Sequence, residues 1–153
     1  MSDLRDLYQE LILDHGRRPR NFGPLAGATH DAIGHNPLCG DKITVHVRVD
    51  GDSVAGISFE GQGCAISQAS ASLLTEAVKG RKIEDVLSLF RKVTALVTGR
   101  DEDAGREGGV ELGKLEVFEG VRQYPMRVKC ATLAWHTLHN ALEGKAAEVV
   151  STE

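Results

Sequence analysis

The run "DKITVHVRVDGDSVAGISFEG", Asp41 to Gly61, constrains the fold more than any other part of the chain. Ile43, Val45, Val47 and Val49 alternate with Thr44, His46 and Arg48, the two-residue period of a strand with one buried face. "DGD" at Asp50 to Asp52 is tight-turn chemistry, and Ser53 to Phe59 returns as a second strand. A hairpin with one apolar face needs another layer to cover it. His46 falls on the opposite, polar face and reads as a solvated histidine.

The covering layer is predicted to be helical. Leu4, Leu7, Leu11 and Ile12 recur at helical spacing, so Asp3 to His15 reads as an amphipathic helix ended by Gly16 and Pro19. A loop to about Gly27 and a short strand over Thr29 to Ile33 precede the hairpin. After it, "GQGCAISQASASLLTEAVKG" is a glycine-rich turn running into a helix from Cys64 to Lys79, stopped by Gly80. "KIEDVLSLFRKVTALVTG" makes another helix, and Arg100 to Gly109 a charged surface loop. "YPMRVKCATLAWHTLHNALEG" gives a last helix from about Val128 to Leu142, with Pro125 before it and Gly144 ending it. His136 and His139 lie on this helix and read as surface or core-edge histidines. The expected class is α+β, and 153 residues suit a single domain, 1–153, with its own core.

A net charge of -4 argues against a nucleic-acid surface, which needs a clustered basic face. The short basic stretch "GRRPR", Gly16 to Arg20, reads as a solvated turn after a helix. Met1 to Asp14 carries Asp3, Asp6 and Glu10, which a secretory signal excludes, and no apolar run approaches the roughly 18 residues of a membrane span. The expected location is cytoplasmic, with neither a membrane nor a nucleic acid as partner. In a reducing compartment the three cysteines are poor candidates for a disulfide.

Those cysteines carry the chemistry. Cys39 sits in "NPLCGD", a turn just before the first long strand, with Asp41 two residues on. Cys64 and Cys130 fall at predicted helix N-termini, where unpaired N–H groups and the helix dipole favour a thiolate. If the three elements converge, three sulfurs and one carboxylate make the four donors of a tetrahedral zinc ion. Two helix N-termini would offset part of the excess negative charge. The spacing alone leaves ordinary buried thiols open, since free cysteine is among the most buried residue types. Gly40, Gly61 and Gly63 flank two of the cysteines, where the backbone must bend or approach something closely.

"NPLCGD", "FEGQGCAISQASAS" and "YPMRVKCATLAW", in that order, resemble the three cysteine motifs of the U-type iron–sulfur cluster assembly proteins. The similarity runs from "LYQELILDHGRRPRNFG" to "RVKCATLAWHTL". It implies a SufE/NifU-like fold: a small antiparallel sheet with helices packed on one face and a metal site at the sheet/helix edge. Scaffolds of the IscU type carry histidine immediately before the third cysteine, where this chain has Lys129. The stretch between the second and third cysteines also has an insertion, about 82–113. Both features resemble the SufU branch. That resemblance implies zinc held by Cys39, Asp41, Cys64 and Cys130, and sulfur accepted from a SufS-type, pyridoxal-phosphate-dependent cysteine desulfurase. A downstream iron–sulfur scaffold is the expected recipient.

Cys39 is the expected sulfur acceptor and catalytic residue, because a turn cysteine beside Gly40 can move with little backbone strain. It would attack the terminal sulfur of the partner's persulfide while Asp41 holds the metal. Arg127 and Lys129 either stabilise thiolate character or meet an acidic patch on the partner; a solvated pair is the plain alternative. Two other functions compete: a scaffold building an iron–sulfur cluster on the same cysteines, and a zinc-stabilised interaction module without sulfur chemistry. A redox-sensing thiol protein is more remote, because zinc opposes oxidation of the resting thiol.

Overall fold

The computed structural model describes residues 2–37, 39–98, 114–115, 117–118, 121, 124–143 and 150–151. Their element order is α1 (Ser2–Arg17), β1 (His30–Asn36), β2 (Asp41–Asp50), β3 (Ser53–Gln62), α2 (Ala65–Val78), α3 (Ile83–Thr98), α4 (Pro125–Leu142) and β4 (Val150–Ser151). The alternation of β2 does what its sequence demands. Ile43, Val45 and Val47 are buried against the helices, and Lys42 and Arg48 face solvent. β3 pairs antiparallel with β2, setting Ile57 against Val47 and Phe59 against Val45. The turn between them places Gly51 at φ 64°, a left-handed conformation that glycine adopts freely.

β1 pairs antiparallel with the other side of β2, and the strand order is β3-β2-β1-β4. The expected small antiparallel sheet is present as a three-stranded meander, extended at one edge by two residues of β4 parallel to β1. The first strand runs to Asn36 rather than Ile33, because Gly34, His35 and Asn36 continue the ladder opposite Ile43, Lys42 and Asp41. "NPLCGD" is thus the connection between β1 and β2. α4 lies across β1 and β2, α2 packs on β3 and on α4, α1 packs on α2, and α3 on α4. Trp135, Phe59, Phe118, Leu74 and Leu89 fill the space between sheet and helices.

Two helix boundaries differ from expectation. α1 continues through Gly16 to Arg17; a side chain at Gly16 would stand 3.3 Å from Ala65, so its absence lets α1 sit directly on α2. α4 starts at Pro125, three residues before Val128, because proline at the first helical turn has no N–H to orphan and its fixed φ is already helical. His15 is buried on α1, and its Nδ1 meets Ser72 Oγ on α2 at 2.7 Å. Asn21 Nδ2 donates to Thr75 Oγ1 at 3.0 Å, so the basic turn is tied down onto α2. α3 buries Val86, Leu89, Val93 and Val97, and its Phe90 stacks on His139 with centroids 4.8 Å apart and meets His136 edge-on. Both histidines are core-edge residues, as expected. The loop expected over Arg100 to Gly109 and the stop at Gly144 lie outside the described residues. Among the described residues no helix is long and apolar enough to cross a membrane.

Candidate metal centre

Four elements converge at one end of the sheet. The β1–β2 turn carries Cys39, β2 begins at Asp41, α2 begins just after Cys64, and the first turns of α4 carry Cys130. Donor atoms of Cys39, Asp41 and Cys130 lie within 4.8 Å of one another. Cys64 is not within that mutual distance of all three, although its Sγ stands 3.9 Å from Asp41 Oδ2. The Cys130 thiol donates to Cys39 Sγ at 3.2 Å. A tetrahedral site with sulfurs about 2.3 Å from zinc would space them roughly 3.8 Å apart, so Cys39, Asp41 and Cys130 already stand near ligand separations, and Cys64 would have to draw in to join them.

Each position is held by local structure. The Cys39 N–H donates to the Asn36 carbonyl at 3.2 Å, closing the turn, and Gly40 follows with φ 72°. Asp41 is 0% exposed; its Oδ1 accepts the Cys64 backbone N–H at 2.8 Å. Gly63 is required here, because any side chain there would collide with the Asp41 carboxylate. Cys64 caps α2, its sulfur accepting the Ser67 N–H at 3.5 Å. That cap satisfies one orphan donor of the helix and places the sulfur at the positive end of its dipole.

Cys130 departs from expectation. It is the sixth residue of α4, not its N-terminus, and is 2% exposed. The dipole acts mainly over the first turn, so it favours a thiolate at Cys64 and not at Cys130. The thiol affinities divide accordingly. The hydrogen bond from Cys130, helped by the Ser67 N–H and opposed by burial, pulls the Cys64 thiol down to about 7. Cys130 is pushed strongly up, first by its hydrogen bond with Cys64, then by burial. Between Cys64 and Cys130, the proton therefore stays longer on Cys130.

The donor set fits zinc. A fully buried carboxylate costs free energy unless a positive charge compensates it. The Asp41 carboxylate meets the Cys64 N–H, the Cys64 thiol and the Cys130 thiol, and none of these brings a positive charge. Thiolates with one carboxylate suit zinc and also suit iron.

Arg127 and Lys129 flank Val128 in the first turns of α4. The Arg127 guanidinium lies over the Tyr124 ring at 4.5 Å, and Arg127, Tyr124 and Met126 are exposed beside the centre. Sequence reasoning gave Asn36 no role. It is buried, and its Nδ2 donates to Cys130 Sγ at 3.6 Å across 94 positions of sequence. The only signal was its place at the head of "NPLCGD". His46 was read as solvated; instead it bridges Asp31 on β1 and Glu60 on β3, at 2.5 and 2.7 Å.

Comparison with known proteins places this geometry. The profile of the NifU-like N terminal domain matches residues 7–131. The zinc-dependent sulfurtransferase SufU of Bacillus subtilis (strain 168) is 40% identical over 144 residues, covering 92% of each chain. The iron–sulfur cluster assembly scaffold protein IscU of Streptococcus pyogenes serotype M1 is 39% identical, covering 95% of this chain and 89% of the relative. A crystal structure of a hypothetical protein, 39% identical, superposes with a TM-score of 0.81 over 91% of this chain and 98% of the other.

Proposed function

The chain belongs to the NifU-like N-terminal domain family, and from that premise we propose that it is a zinc-dependent sulfur-transfer protein of iron–sulfur cluster assembly, accepting persulfide sulfur on Cys39 from a cysteine desulfurase. The observation that carries this reading is the setting of Cys39. It is half-buried on a turn beside Gly40, with the Cys130 sulfur 3.2 Å away and Asp41 in the same donor group. Similarity to a relative named as a zinc-dependent sulfurtransferase supports it.

Cys39, Asp41, Cys64 and Cys130 are the residues that would hold zinc. When bound, zinc keeps the thiols deprotonated at neutral pH and brings no redox chemistry of its own. The Cys39 thiolate attacks the terminal sulfur of the partner's persulfide. A new sulfur–sulfur bond forms at Cys39, the partner's own sulfur–sulfur bond breaks, and the partner's cysteine leaves as a thiolate, so no net oxidation occurs. The turn and Gly40 let Cys39 reach outward, while Asp41, Cys64 and Cys130 stay on β2, α2 and α4. Arg127, exposed over Tyr124, is placed to meet an acidic patch on the desulfurase, with Lys129 beside it. The sulfur then passes to a downstream iron–sulfur scaffold in the cytoplasm. Residues 1–153 act as one domain, with α3 forming the first half of the insertion at about 82–113.

The scaffold reading rests on the relative named IscU and on thiolates that suit iron equally well. Lys129 weighs against it, because an ammonium is no ligand. Protein purified without oxygen tests both. About one zinc per chain without iron or acid-labile sulfide, followed by a persulfide on Cys39 when the desulfurase and cysteine are added, is the expected result. Cys39→Ala is expected to abolish that persulfide. Iron with matching sulfide, or full persulfide acceptance by Cys39→Ala, overturns the proposal.

A further inference from the structure

Asn36 touches three of the four donor residues. Its backbone pairs in register with Asp41, its carbonyl accepts the Cys39 N–H at 3.2 Å, and its Nδ2 donates to Cys130 Sγ at 3.6 Å. It is 0% exposed, and its Oδ1 has no hydrogen-bond partner among the described residues. A buried amide with one unsatisfied end is costly at the end of a strand, where an apolar side chain would bury freely. The group that uses this amide is the Cys130 sulfur.

We propose that Asn36 is a positioning residue of the metal centre, fixing the Cys130 sulfur as a permanent ligand so that exchange falls to Cys39. The three sulfurs differ in what donates to them. Cys64 accepts the Ser67 backbone N–H, and Cys130 accepts the Asn36 amide. Among the described residues, Cys39 accepts only from the Cys130 thiol, itself a donor residue of the centre, and from no N–H group. An N–H donor withdraws electron density from a thiolate, which lowers its nucleophilicity and holds its orientation. The two sulfurs on helices therefore keep a fixed donor in the metal-bound state, and the turn sulfur does not. The division of labour between ligands rests on the sulfur-transfer reading above; the effect on the metal does not.

Asn36→Leu in the full chain removes the donor at similar volume. Competition with a chromophoric chelator is expected to show zinc affinity about 10–100-fold weaker, the usual cost of losing an outer partner of a ligand. In the cobalt(II)-substituted protein, the thiolate-to-cobalt charge-transfer band is expected to move to lower energy, because a sulfur without its hydrogen bond holds its electrons less tightly. Iodoacetamide labelling of the zinc form, mapped by mass spectrometry, is expected to reach Cys39 first in the wild type; because Cys130 is buried, its loosening in the variant is read as faster zinc transfer to the chelator. Near-UV circular dichroism of Trp135 checks the fold. If leucine disturbs it, Asn36→Ala removes the same donor at smaller volume and carries the same readouts. Wild-type affinity with an unshifted band, or zinc transfer at the wild-type rate, overturns the proposal. Failure of the sulfur-transfer reading shows separately, as a wild-type Cys39 that takes no persulfide from the desulfurase.

Discussion

The Asp41 carboxylate accepts the Cys64 N–H on one oxygen and lies 3.9 Å from the Cys64 sulfur on the other. Its position depends on Gly63, whose ideal Cβ would stand 3.0 Å from Asp41 Cγ and closer still to Oδ1. Gly63→Ala must therefore push the carboxylate aside. Overpacking of this kind costs about 1–3 kcal/mol, and here it falls on a proposed ligand. The expected outcome is a folded variant with zinc affinity reduced about tenfold or more, read by chelator competition beside a thermal melt. An affinity equal to wild type would show that Asp41 does not hold the metal. At this scale the sequence was informative where residue type and chemistry coincide. Cysteine beside aspartate, and glycines beside cysteines, mark Cys39, Asp41, Cys64 and Gly63 without any coordinates. Asn36 stayed silent, because its contact with Cys130 spans 94 positions and depends on how α4 crosses β1. The depth of Cys130 was hidden by Pro125, which reads equally well as the residue before a helix or as its first.

The three strands of the meander are cross-linked on their open face by one imidazole. His46 on β2 lies between Asp31 on β1 and Glu60 on β3. Burial lowers its pKa, but the hydrogen bonds to Asp31 and Glu60 and the charge of both carboxylates outweigh it, so the net shift is upward. A histidine whose folded pKa is raised binds a proton more tightly folded than unfolded. Its stabilisation is fully present below the unfolded value of about 6.5 and is lost as pH rises through the folded value. His46→Gln is therefore expected to cost stability below about pH 6.5 and progressively less above it. Both carboxylates are partly exposed, so added salt should shrink the difference. Urea melts of the two proteins across pH 5 to 9, with an NMR titration of the His46 ring, check this; a pH-independent difference would remove the clamp. Strand alternation made β2 and β3 legible, and the cap-and-glycine pattern did the same for α2. β4 was not legible: two residues carry no period, and only pairing with β1 makes them a strand. The first strand was read short because its last residues, Gly34 to Asn36, are strand by virtue of their partner and not their composition.

The core and the metal centre are nearly separate structures. Trp135, Phe59, Phe118, Leu74 and Leu89 are packed between sheet and helices, and of the four donor residues only Cys130 sits among the buried apolar side chains. α1 is held on α2 by His15 with Ser72 and by Asn21 with Thr75, on stretches of α2 beyond its Cys64 cap. A domain assembled this way does not need the metal to fold, unlike small zinc modules whose binding energy is their folding energy. Metal that binds the folded state alone still adds stability, about 2.7 kcal/mol when free metal is 100 times its dissociation constant. For a chain of this size, that moves the melting temperature by roughly 5–10 °C. Stripping the metal with a chelator is thus expected to leave the far-UV spectrum and the Trp135 near-UV signal intact and to lower the melting temperature by about that amount, with zinc restoring it. The same chelated protein should expose Cys39 and Cys64 to thiol reagents while Cys130 and Trp135 stay buried. Loss of the near-UV signal on chelation would instead mean that the metal holds the fold, and would favour a zinc-stabilised interaction module over a protein that can lend one ligand to sulfur transfer.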